Sequence, residues 1–156
     1  MSRNAVQALF DEWDRSRREI VALLPRIRSE ELEGGDPRDP TRARGILIHV
    51  VRASYGYAGW ICECLGFPAP QRRTDPLTLD GRAAFEQAFG EVRDYFQSAL
   101  EPLTDAHVDE PAPGESPPHF RSRWGEDYGI EQMLEHAICH HLRHRRQLER
   151  LAIFSA

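Results

Sequence analysis

The stretch IEQMLEHAICHHLRHRRQLERLAI, residues Ile130 to Ile153, decides the fold. Ile130, Met133, Leu134, Ala137, Leu148, Leu151 and Ala152 recur at helical spacing on one side, and Glu135, Arg146 and Glu149 stand on the other. This pattern predicts a long amphipathic helix whose apolar stripe must be buried against other elements. The same stretch carries four of the chain's seven histidines, His136, His140, His141 and His144. With His144 at the origin and about 100° per residue, His140 falls near -40°, His141 near +60° and His136 near -80°, while the apolar arc centres near +30°. His140, His141 and His144 therefore face the core side.

Working outward, three more helical patterns precede this one. From about Asn4 to Arg28, Val6, Leu9, Phe10, Trp13, Ile20, Leu23, Leu24 and Ile27 form one stripe among charges. GGDPRDP, residues 34 to 40, cannot continue a helix and reads as a loop. A second helix is expected from about Thr41 to Leu65, with Ile46, His49, Val50, Ala53, Tyr57, Trp60 and Ile61 on a broad face, and Gly66 and Pro68 as its stop. A third runs from about Gly81 to Leu103 through Phe85, Ala88, Phe89, Val92, Phe96, Ala99 and Leu103. Thr104 to Trp124 contains Pro111, Pro113, Pro117 and Pro118 and reads as a long surface connection. No convincing strand pattern or internal repeat interrupts the series, so an all-α four-helix bundle forming a single domain over residues 1–156 is expected.

The composition excludes several functions. Twenty basic residues against 25 acidic ones, a net charge of -5, lack the basic excess of a nucleic-acid surface. The N-terminus MSRNAVQALFDEWDRS has no secretory apolar core, and the longest apolar stretch, Gly45 to Val51, is broken by His49 and too short to span a bilayer. A cytoplasmic protein is expected. Cys62, Cys64 and Cys139 form no disulfide framework, and Cys62 and Cys64 point about 200° apart on a helix.

The histidines are the chemical signal. Around His49 the helical construction places Ile46, Ala53, Gly56 and Trp60 within about 60°, so this imidazole is expected to point inward from the second helix. Buried imidazoles must have their nitrogens paired, and several together repel when protonated, so a shared cation satisfies them. Histidines four apart stack one turn above the other, within reach of one ion at roughly 2.0 to 2.1 Å. That makes His140 and His144 natural co-ligands, with His49 as a third from the facing helix; geometry alone leaves His141 open as the alternative to His140. Three ligands leave a position for water or substrate, and imidazole suits zinc, nickel, copper and iron, with zinc or nickel the expected ion. The structural reading sets these histidines in the core, hydrogen-bonded to carbonyls and carboxylates.

ILIHVV around His49, HHLRHRRQ from His140 to Gln147, and WGEDYGIEQMLEHA before it resemble the DinB/YfiT-like family of metal-dependent enzymes, whose pattern is a histidine in helix two and HxxxHRGQ in helix four. The resemblance extends over nearly the whole chain. It implies an up-down-down-up helix course and selects His49, His140 and His144 as metal ligands, leaving His141 to the core or the ligands' surroundings. It also implies chemistry of the thiol-dependent transferase or hydrolase type on a small-molecule substrate, with a low-molecular-weight thiol as partner. The alternative is a non-catalytic metal-binding or stress-response module. His136 and Gln147 are candidates to orient the incoming group or support the ligands. Arg146 stands where the family pattern has glycine, which predicts a bulkier, more cationic wall beside His144. Arg143 and Arg145 flank that ligand, as holders of a substrate carboxylate or as partners of helix-one acids. Trp60 and Trp124 are candidates for a pocket wall. Ile138, Leu142 and Ile153 lie on the side of the last helix that should be polar in a monomer, and so predict a homodimer.

Overall fold

The structure, a computed structural model, describes residues 4–108, 120–122, 125–151 and 153–155. The chain is mostly helical. Its helices are α1 (Ala5–Val21), the short α2 (Ser29–Leu32), α3 (Ala43–Leu65), α4 (Arg82–Leu100) and α5 (Ile130–Arg150). α1 packs against α5 and α4, and α3 packs against α4 and α5, so each stripe is covered by two neighbours.

The first helix is shorter than its apolar stripe. Pro25 has no N–H to give the Val21 carbonyl, so α1 ends there and Leu24–Arg26 form a 3-10 turn. Asn4 caps the other end, its side chain accepting from the Gln7 N–H at 2.6 Å. α3 stops at Gly66, whose φ of 70° is the left-handed conformation that glycine adopts without penalty.

Trp13 is fully buried and stacks on Phe96 with ring centroids 3.9 Å apart, joining α1 to α4 at the centre of the core. Along the α1–α5 seam Trp13 and Ser16 meet His141, and Glu19 meets Arg145. Between α3 and α4, Tyr55 meets Tyr95 and the Cys62 thiol meets the Ala99 carbonyl. Between α3 and α5, His49 meets His144 and Tyr57 meets His136. Cys62, Cys64 and Cys139 are unbridged.

Three expectations are revised. A two-residue hairpin, β1 (Phe120–Arg121) against β2 (Asp127–Tyr128), precedes α5; segments this short carry no alternation to read. α5 ends at Arg150, and the chain beyond it turns extended. There Ile153 accepts from the Arg28 N–H at 2.8 Å, and Ser155 donates to the Arg26 carbonyl at 2.8 Å. Ile153 is thereby buried and leaves the proposed partner face, where Ile138 and Leu142 are each half-buried. Trp124 and much of the Thr104–Trp124 connection lie outside the described residues.

The loop before α3 is held by arginines that periodicity does not reveal. Buried Arg44 donates to the carbonyls of Leu79 at 2.8 Å and Gly35 at 2.8 Å, and Arg42 donates to those of Gly34, Glu30 and Glu33. Gly45 lets this loop lie directly on α3, because a Cβ there would overlap the Asp39 carbonyl. The loop thereby becomes one wall of a cleft.

Candidate metal centre

α3 and α5 cross so that His49, His140 and His144 share one point. The Nε2 atoms of His49 and His140 lie 2.9 Å apart, and those of His140 and His144 lie 3.2 Å apart. Nitrogens bound tetrahedrally at 2.0–2.1 Å would be separated by roughly 3.3 Å, so the trio matches the donor set of a single ion. It is also the set of side chains with metal-ligating atoms that the described residues bring together.

The hydrogen bonds favour the same reading. Gln147 gives its Nε2 to the Pro40 carbonyl at 3.3 Å, which turns its Oε1 toward His144 Nδ1 at 2.8 Å. That oxygen only accepts, so His144 carries its proton on Nδ1 and presents a lone pair from Nε2. His140 Nδ1 is buried without a partner, and this ring's polar contacts are all made through Nε2. A single N–H cannot satisfy three converging nitrogens, whereas one cation can.

Burial lowers the proton affinity of all three. His140 is pushed down to about 2, first by burial and then by the charges His144 and His49 would carry. His144 is lowered by burial against the opposing pull of Gln147. His49 is lowered by burial, then by His144, Arg52 and Arg143. All three stand neutral at pH 7, the form that ligates a metal.

His49 does not point into the core as the helical construction implied. As a whole residue it is exposed, although its ring is desolvated enough to lower its proton affinity, and His140 and His144 are half-buried. The stripe on α3 is broad, and α5 crosses near its edge, so the trio sits at the rim of the bundle. His141, the neighbour of His140, is the core histidine. Its Nδ1 lies 2.8 Å from Ser16 Oγ and its Nε2 3.1 Å from Ser54 Oγ, so both nitrogens are satisfied inside the protein.

A cleft of about 370 Å³ opens beside His49 and His144. Pro37, Arg38 and Pro40 form one wall, and Arg52 and Arg143 line it from α3 and α5. Arg52 follows His49 by three positions and Arg143 follows His140 by three, a spacing that places each on its ligand's face. Arg146 is exposed and does not line the cleft, so the added charge comes from Arg143. Arg145 pairs with Glu19 of α1. Trp60 packs against the core and does not line the cleft. His136 stands one turn from His140, its ring 5.5 Å from that of Tyr57 and 5.9 Å from that of Tyr128. Tyr57 also packs against His140 at 5.6 Å, and burial raises its hydroxyl to about 12. Its place in a helical stripe marked it only as core.

The DinB family model matches residues 1–152. No curated protein and no solved structure matches the chain. A family match over nearly all of the 156 residues is sufficient on its own: the chain belongs to the DinB family.

Proposed function

We propose that this protein binds one divalent metal ion, zinc or nickel, on His49, His140 and His144, and uses it as a metalloenzyme of the thiol-dependent transferase or hydrolase type. The observation that carries the reading is the convergence of three Nε2 atoms at the mouth of a cleft. When bound, such an ion supplies a Lewis-acid charge that favours the deprotonated form of a thiol or water. His49 and His140 bridge α3 to α5, and Gln147 holds the His144 tautomer. Tyr57 packs its ring against that of His140 and does not line the cleft, and His136, its proton affinity lowered by burial, packs against Tyr57 in its neutral form at pH 7. The cleft favours catalysis over a purely structural ion, since a small thiol has a path to the centre.

The contacts between helices support the up-down-down-up course. Residue pairs advance together along α1 and α5 and along α3 and α4, and run in opposite senses between α3 and α5. No helix of the described residues is long and apolar enough to cross a membrane.

Elemental analysis of protein purified without chelators tests the metal. Near one equivalent is expected in the unmodified chain and none in His140→Ala/His144→Ala. Gln147→Leu, which keeps every ligand, should weaken the metal roughly 10- to 100-fold in a competition titration with a chelating dye. Reconstitution with nickel tests the enzyme reading: its visible spectrum should change on adding a small thiol, and an unchanged spectrum would point to a closed shell.

A further inference from the structure

The cleft beside the histidines is cationic in an acidic protein. Arg38, Arg52 and Arg143 line it, and no aspartate or glutamate does, although the chain carries 25 acidic residues against 20 basic. Several arginines elsewhere have carboxylate partners: Arg15 pairs with Glu12, Arg17 with Asp14, Arg28 with Glu30, and Arg145 with Glu19. The carboxylates nearest in sequence to Arg38 are engaged by the loop itself. Asp36 accepts from the Arg38 N–H at 2.9 Å, and Asp39 accepts from Thr41 through its N–H at 2.9 Å and its hydroxyl at 2.7 Å. The guanidiniums of Arg38, Arg52 and Arg143 form no ion pair with the described residues. Three like charges around one opening repel one another, an arrangement that an anion in the cleft relieves.

We infer that the cleft binds a small organic anion, held by the guanidiniums of Arg52 and Arg143 with Arg38 closing over it from the loop. The planar guanidinium fork matches carboxylate and phosphate oxyanions, and about 370 Å³ accommodates a molecule of several carbons bearing more than one such group. The anionic end is thereby anchored a short distance from His49 and His144, which line the same cleft, and the rest of the molecule reaches the histidine centre. This inference rests on reading the cleft as the substrate side of that centre and names the chemistry of the substrate.

The test uses metal-free protein, so that a failed metal assignment and a failed anion site give different results. Succinate, inorganic phosphate and neutral succinamide are titrated into the unmodified chain and into Arg52→Gln/Arg143→Gln, with binding followed by NMR shifts of the backbone amides around the cleft, which both proteins keep. The unmodified chain is expected to bind succinate or phosphate saturably, more weakly as salt rises, and succinamide not at all. The variant should bind roughly tenfold more weakly or worse while retaining its melting temperature and, after reconstitution, the same zinc content. Tighter succinate would assign carboxylates and tighter phosphate a phosphoryl group. No saturable anion binding by the unmodified chain, equal binding by the variant, or equal binding of succinamide would overturn the proposal. Loss of zinc together with the anion would also overturn it, by placing these arginines in the metal centre.

Discussion

His140→Ala is expected to lose the metal and keep its fold, and the adjacent His141→Ala to keep its ligands and lose much of its stability. The two side chains are neighbours in sequence but stand in different environments. His140 offers Nε2 to the shared point and leaves Nδ1 buried without a partner, so in metal-free protein its removal costs only histidine-to-histidine hydrogen bonding at the rim of the bundle. Metal affinity should fall by at least roughly 100-fold, because loss of a ligand exceeds the 10- to 100-fold effect of losing a ligand's supporting partner. His141 is 1% exposed, stacks near Trp13 at 5.4 Å and ties Ser16 of α1 to Ser54 of α3. Alanine there opens a cavity and removes a hydrogen-bond partner from each of two buried serines, a loss of about 2–4 kcal/mol. Urea denaturation in the presence of chelator, paired with elemental analysis of each variant, separates the two effects. Equal destabilisation of both would refute the division of labour between these histidines.

Acid should unfold the metal-free protein earlier than its carboxylates alone would dictate. Burial holds the folded His141 down to about 3, against an ordinary imidazole value of about 6.5. A histidine whose folded pKa is lowered has its full stability above the unfolded value. As pH falls below about 6.5 the unfolded chain takes up a proton that the folded one refuses, so stability declines, and the decline continues until pH passes about 3. At pH 5 the gap from 6.5 amounts to about 2 kcal/mol from His141. His140, held at about 2 by burial and by its neighbours, acts in the same direction. Denaturation midpoints between pH 7.5 and 5 check the sign. His141→Asn, which does not titrate there, should show a shallower slope, and an unchanged slope would remove His141 as its source.

Spacing along the chain was enough to locate the four long helices, because a 3.6-residue period makes burial visible in one dimension. It placed α3 and α4 within two or three residues at each end. It erred at Pro25, where a missing N–H outweighed a continuing apolar stripe. The same spacing stacked His140 and His144, but a single helix has no reference for depth. His140 and His141 both fell inside its apolar arc, and helical angles could not say which nitrogens would meet His49.

That choice belongs to the crossing of α5 over α3. The crossing brings His140 Nε2 to 2.9 Å from His49 and directs His141 between Ser16 and Ser54. It also sets His49 at an exposed rim beside a cleft, where its stripe alone would bury it. The Pro40 carbonyl, 107 residues from Gln147, orients the amide that fixes His144. Gly45 permits that loop to approach, and no local pattern announces the pairing. Periodicity reports which faces are apolar; the direction of each imidazole depends on how two helices and one loop pack, and only contacts distant in sequence record that.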